Sequence, residues 1–139
     1  MGRQCAGFTL LELLLVLAII AIGSTAITLS LRDSSQTRLQ MEAERLIAVL
    51  EASRAQARAS NTALHWHADD KGFEVHTLPS SGKALHAMVW QYQGTQATPT
   101  DVLINAEPIQ ARTTITLRHG SGINLTIGTD GAAAYKVLP

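Results

Sequence analysis

Cysteine is almost missing from this chain: Cys5 is the single one in 139 residues, so beyond it no disulfide can staple the fold and packing must hold it together. No apolar run precedes Cys5, which argues against a lipoprotein signal. Proline does not occur before Pro79, so nothing of that kind interrupts a long N-terminal helix. No internal repeat or low-complexity tract is present.

The signatures of catalysis are missing too. The chain has no phosphate-binding glycine loop. Gly120-Ser121-Gly122 is not a Gly-x-Ser-x-Gly nucleophile elbow, and sequence places no serine or cysteine beside the histidines. The expectation is a protein that is not an enzyme and needs no cofactor. Asp69, Asp70 and Asp130 lack a full calcium loop around them and read as turn formers. Formal net charge is zero, and Arg112, Arg118 and Lys136 are scattered along the sequence, so nucleic acid is not an expected partner.

What is present begins with a gap in charge. Glu12 is the only charged side chain between Phe8 and Leu31, a stretch of 24 residues. At helical rise that stretch is roughly 36 Å long, against a hydrocarbon core of about 30 Å. Its first half, Leu13 to Ile22, is unbroken aliphatic and alanine. The second half is softened by Gly23, Ser24, Thr25, Thr28 and Ser30, a composition compatible with an interfacial position or with close packing on another helix. A spanning helix over 8–31 is the favoured reading. A carboxylate within such a segment costs about 2–3 kcal/mol on insertion, so Glu12 is the first candidate for a functional residue.

Ahead of the helix, Met1 to Gly7 carries one charge, Arg3, and its small residues Ala6-Gly7 precede the apolar run. A secretory signal has the reverse order. A cut after Gly7 would therefore leave the helix on the mature protein as an anchor. Arg3 before the span, with Arg32 and Asp33 nearly cancelling after it, favours a cytoplasmic N-terminus and an exported C-terminal part.

Beyond the span, Leu39, Ala43, Leu46, Leu50, Ser53 and Ala57 recur at steps of four and three, which makes residues 32–60 an amphipathic helical stem. Arg38, Glu42, Glu44, Arg45, Glu51, Arg54 and Arg58 take its other positions and are expected on a solvated face, with spaced pairs such as Arg38 with Glu42. From about Asn61 the period changes to alternation. Leu64, Trp66 and Ala68 alternate with His65 and His67, and Asp69-Asp70-Lys71-Gly72 turns into Phe73, Val75 and Thr77.

Further strands are expected at 85–92, 102–104, 113–118, 123–127 and 134–138. The expected core there is Met88, Trp90, Tyr92, Ile104, Ile115, Leu117, Ile123, Leu125, Ile127 and Val137. The fold class is α+β: a long N-terminal transmembrane and amphipathic helix followed by a small antiparallel β-sheet or β-sandwich domain over 61–139.

A hairpin turning at Asp70-Lys71 would put His65, His67, Glu74 and His76 on one face, with His65 opposite His76. Such a grouping suits zinc or copper. A polar solvent face explains the same alternation, because Trp66 and Val75 claim the other side. No metal is therefore assigned, and these four stand as a secondary candidate.

The run Gly7-Phe8-Thr9-Leu10-Leu11-Glu12-Leu13 resembles the class III signal of type IV pilins and type II secretion pseudopilins. The resemblance implies a leader at 1–7, cleavage between Gly7 and Phe8 by a prepilin peptidase, N-methylation of Phe8, and a Glu12 that pairs with the terminal amine of a neighbouring subunit during filament assembly. Leu50 to Thr62, followed directly by an alternating strand, is similar to the stem-to-sheet junction of H-type minor pseudopilins and of the T-type minor pilins of type IV pili. The long loop and the signature of the major pseudopilin are absent.

On that resemblance the chain would be a minor subunit of the type II secretion pseudopilus. It would sit in the bacterial inner membrane as a single-pass protein with a periplasmic C-terminal domain. Its partners would be major and minor pseudopilins, the prepilin peptidase, the inner-membrane assembly platform and membrane lipid. The alternative is a minor pilin of a type IV pilus, active in pilus assembly or DNA uptake.

Overall fold

The computed structural model describes residues 9–79, 84–120 and 122–139, and within 23–34 the backbone alone. One helix, α1 (Leu10–Ser60), precedes eight strands: β1 (Leu64–Ala68), β2 (Gly72–Thr77), β3 (His86–Val89), β4 (Thr95–Thr98), β5 (Asp101–Ile104), β6 (Thr113–His119), β7 (Ile123–Thr129) and β8 (Lys136–Leu138). The chain divides into two compact units, Met1–Ser34 and Ser35–Pro139. The α1 residues from Ser35 onward thus belong to the same unit as the strands.

In the first unit, the described residues 9–22 are all exposed, including aliphatic side chains from Leu10 to Ile22. Among the described residues, no helix is long and apolar enough to cross a membrane. The segment expected to span also includes Phe8 and the side chains of 23–31, which lie outside that description.

In the second unit, Leu39, Ala43, Leu46, Leu50, Ser53 and Ala57 are all buried, so the stripe of threes and fours is the packing face. The helix ends in a Schellman arrangement. Asn61 adopts φ 50°, its N–H donates to the carbonyl of Arg58, and Thr62 N–H donates to that of Ala57. Asparagine tolerates this left-handed conformation better than most residues.

The strands form two four-stranded antiparallel sheets, in the orders β3-β2-β1-β5 and β4-β6-β7-β8. Each sends alternate side chains into one core shared with α1: Trp66, Phe73, Val75 and Ile104 from the first, Ile115, Leu117 and Ile127 from the second. Phe73 lies between Trp66 and Trp90, with ring centroids 6.2 and 5.1 Å away. This is the α+β arrangement expected, with the sheet part resolved into two layers.

Several local expectations change. Thr95–Thr98 forms a strand where the sequence suggests only a connection, because its inward positions are the small Thr95 and Ala97 and carry no strong apolar signal. Tyr92 and Val137 stay outside the buried core, while Tyr135 enters it. Two stem charges are buried rather than solvated. Glu42 accepts from the Gln91 N–H at 3.1 Å and from Arg45 at 3.1 Å, not from Arg38, whose guanidinium lies over the Tyr92 ring. Arg54 donates to the carbonyls of Gly131 at 2.8 Å and Ala133 at 3.0 Å and to Glu51 at 3.1 Å. Buried charges persist where hydrogen bonds replace their water.

Candidate functional site

Glu12 sits in the first turn of α1. Its backbone N–H donates to the Thr9 carbonyl at 3.1 Å and lies 3.3 Å from Thr9 Oγ1. Thr9 is therefore the N-cap, and Thr9-Leu10-Leu11-Glu12 has the spacing of a capping box. Placed in that turn, a carboxylate also meets the positive end of the helix dipole. Local chemistry thus favours a glutamate here before any partner is considered, and its side chain is exposed among exposed Leu10, Leu11, Leu13 and Val16. Gly7 and Phe8, the expected cleavage and methylation positions, lie outside the described residues.

The secondary candidate is the outer face of the first sheet. Register pairs His65 with His76 and His67 with Glu74, and pairs β1 with β5 so that His67 also faces Asp101. Asp101 Oδ1 lies 2.8 Å from His67 Nδ1 and 3.2 Å from His65 Nε2, whereas His76 Nε2 meets Glu74 Oε2 at 2.9 Å. The histidines expected to converge with Glu74 thus split between two carboxylates. Asp101 comes from β5, a strand far enough along the chain that hairpin reasoning could not include it.

No group of three or more His, Cys, Asp or Glu among the described residues is placed to hold a metal ion. Hydrogen bonds from the Thr100 hydroxyl and from His67 hold the Asp101 carboxyl below the usual carboxylate range.

Of the aspartates read as turn formers, Asp69 and Asp130 close turns through their side chains. Asp69 Oδ1 accepts the N–H groups of Gly72 at 2.7 Å and Lys71 at 2.8 Å, and Asp130 Oδ1 accepts those of Ala133 at 2.8 Å and Ala132 at 3.0 Å. These backbone donors depress both carboxyl groups. Near the second turn, burial pushes the Tyr135 phenol up, and Arg54 lies over its ring at 5.5 Å.

Comparison with known proteins bears on both parts of the chain. Residues 2–28 match the prokaryotic N-terminal methylation motif. The fold is similar to the crystal structure of the type IV minor pilin FimU of Pseudomonas aeruginosa, with a TM-score of 0.62 and 17% identity, covering 76% of this chain and 92% of that one. No curated protein sequence matches the chain. A prepilin-type methylation motif thus precedes a body with a pilin-like fold.

Proposed function

We propose that the chain is a minor structural subunit of a pilin-like filament, released by cleavage between Gly7 and Phe8 and guided into the filament by Glu12. The observation carrying this reading is the helix start, where Thr9 caps an exposed Glu12 inside a helix whose side chains are exposed and almost all apolar from Leu10 to Ile22. Such a surface must be covered by lipid or by other helices. A carboxylate within it gains most from a cation delivered by a neighbour. The free amine of a cleaved Phe8 is such a cation. Membrane anchoring by the N-terminal helix follows from the same motif, with the inner membrane and a periplasmic body as the proposed topology.

The stem-to-strand junction over 50–67 supports the type II secretion pseudopilus as the filament. Likeness in fold to a type IV minor pilin supports a type IV pilus as the second reading. Deleting the gene and assaying both exoprotein release and surface piliation separates them: loss of secretion alone fits the first, loss of pili alone the second.

The test of Glu12 is E12A in the full-length chain. Leader cleavage is expected to persist, while incorporation into sheared filaments falls at least tenfold. Incorporation at the wild-type level would sink the pairing, and a mature N-terminus other than Phe8 by mass spectrometry would sink the processing.

A further inference from the structure

Each sheet ends in two edge strands, and an edge strand offers main-chain N–H and C=O groups to any extended chain able to pair with it. Three of the four edges are tied to neighbouring structure. Arg45 donates to the Val89 carbonyl at the end of β3 at 2.9 Å. Strands β4 and β5 are joined by the two-residue corner Pro99-Thr100, whose Thr100 carbonyl accepts the Ala68 N–H at 2.7 Å. The fourth edge, β8, is open. It closes the order of its sheet and pairs with β7 through Leu138 with Thr126, Val137 with Ile127 and Lys136 with Gly128. Its far side meets no hydrogen-bond partner among the described residues, and Lys136 and Val137 are exposed.

Beside this edge, on the outer face of the sheet, lies a cleft of about 360 Å³. Gly128 and Leu138 form its floor. A β-carbon on Gly128 would come within 2.7 Å of Leu138 Cδ1, so the glycine lets the leucine lie across it. Lys136, Gly128 and Thr114 form one row across β8, β7 and β6, and Arg112 precedes Thr114 by two residues. The two cations therefore stand roughly 12 Å apart, on opposite sides of the cleft. Neither side chain makes a hydrogen bond or salt bridge among the described residues. Asp130 also lines the cleft, near Lys136, but its Oδ1 is held by the N–H groups of Ala132 and Ala133. An apolar floor is thus bordered by one cation in excess.

We infer that the open edge of β8 takes up an extended acidic segment of another protein as a further strand, with an acidic side chain laid over the cleft between Lys136 and Arg112. Main-chain pairing supplies affinity, and the alternation of side chains supplies selectivity. The added strand lies about 4.8 Å from β8, so a glutamate opposite Lys136 reaches its ammonium and the mouth of the cleft. The next residue, opposite Val137, falls on the other face and is apolar. A lysine on an edge discourages unselected pairing; this one admits a segment that brings a carboxylate. A nucleic acid is the competing occupant, but the outward residues Thr114, Thr116, Asn124 and Thr126 offer no aromatic ring for a base to stack on. The site is separate from Glu12 and does not rest on the filament reading.

The test uses the full-length chain in detergent and a fluorescent peptide, acetyl-Thr-Val-Glu-Val-Glu-Val-Thr-amide, whose glutamates share one face of a strand and whose valines share the other. Anisotropy should show saturable binding that weakens at least tenfold in R112E/K136E. The counterpart peptide with lysine for glutamate should bind R112E/K136E at least tenfold more tightly than the wild type, a gain that a misfolded variant could not give. N-methylation of the valine amides and of the glutamate amides blocks opposite edges of the peptide strand. One set should abolish binding, and the other should change it less than threefold.

Equal effects of the two methylations reduce the contact to charge alone and overturn strand addition. So does an absence of saturable binding below about 1 mM, or an unchanged affinity when serine replaces both glutamates. Tighter binding of a 20-base-pair duplex at physiological salt, lost in R112E/K136E, makes nucleic acid the occupant and overturns the peptide as partner.

Discussion

Between Leu10 and Ile22 every side chain of α1 is exposed, whereas from Leu39 to Ala57 six positions at steps of three and four are sealed in a core. The same secondary structure serves two solvents. In the first stretch aliphatic residues fall on all sides, so no rotation of the helix could hide them in a protein core. In the second the stripe leaves room for charges, and two of those charges are buried as well. Helix formation therefore says little about the role of either stretch; the angular distribution of carbon says most.

The comparison breaks most easily by truncating one leucine in each stretch. L50A should cost about 2–5 kcal/mol in urea unfolding of the full chain in detergent, because Leu50 is fully buried. L17A should leave that transition within about 0.5 kcal/mol. Tryptophan fluorescence suits the measurement, since Trp66 and Trp90 both lie in the body. A cost for L17A equal to that of L50A would contradict the contrast.

Next come the charges of the stem. R54A should cost about 2–3 kcal/mol, because it removes two charge-assisted hydrogen bonds, to the carbonyls of Gly131 and Ala133, and leaves those carbonyls only the Gln110 N–H and the Thr129 hydroxyl. R58A removes an exposed arginine with one bond to Pro108 and should cost under about 0.5 kcal/mol. A smaller effect is expected at the helix end. N61A forces a β-carbon lacking asparagine's polar compensation into φ 50° and should cost about 1 kcal/mol, while N61G should be neutral or slightly stabilising.

Acid should weaken the body gradually. Asp69, Asp101 and Asp130 all have folded pKa values below their unfolded ones. Their contribution is complete above the unfolded value of about 3.9 and disappears as pH falls through the folded values. Melting temperatures should fall from pH 6 to pH 3, and D69N combined with D130N, which keeps the acceptor oxygens, should flatten that fall. An unchanged slope in the double variant would point to other groups.

Much of this was legible in the residues themselves. The stripe from Leu39 to Ala57 and the hairpin around Asp69 to Gly72 follow from periodicity, because burial on one face leaves a pattern in composition. Strand β4 left none, since Thr95 and Ala97 are small and one is polar. Glu42 and Arg54 misled for a different reason: their partners are backbone groups at Gln91, Gly131 and Ala133, and a main-chain partner has no letter in a sequence. The same holds for Asp101, whose place beside His67 depends on which strands become neighbours.

Glu42 and Arg54 are twelve residues apart, about 18 Å along the axis of α1. An apolar stripe repeating every three or four residues is nearly blind to a slip of one turn, because leucine and alanine would again meet a greasy wall. Two ionised side chains, each matched to particular amides or carbonyls at separate heights, are not blind to it. A one-turn slip would leave both without their hydrogen bonds. The buried charges thus act as a vernier, fixing where along its length this helix is gripped, so that a pull on the helix reaches the sheets at two defined points.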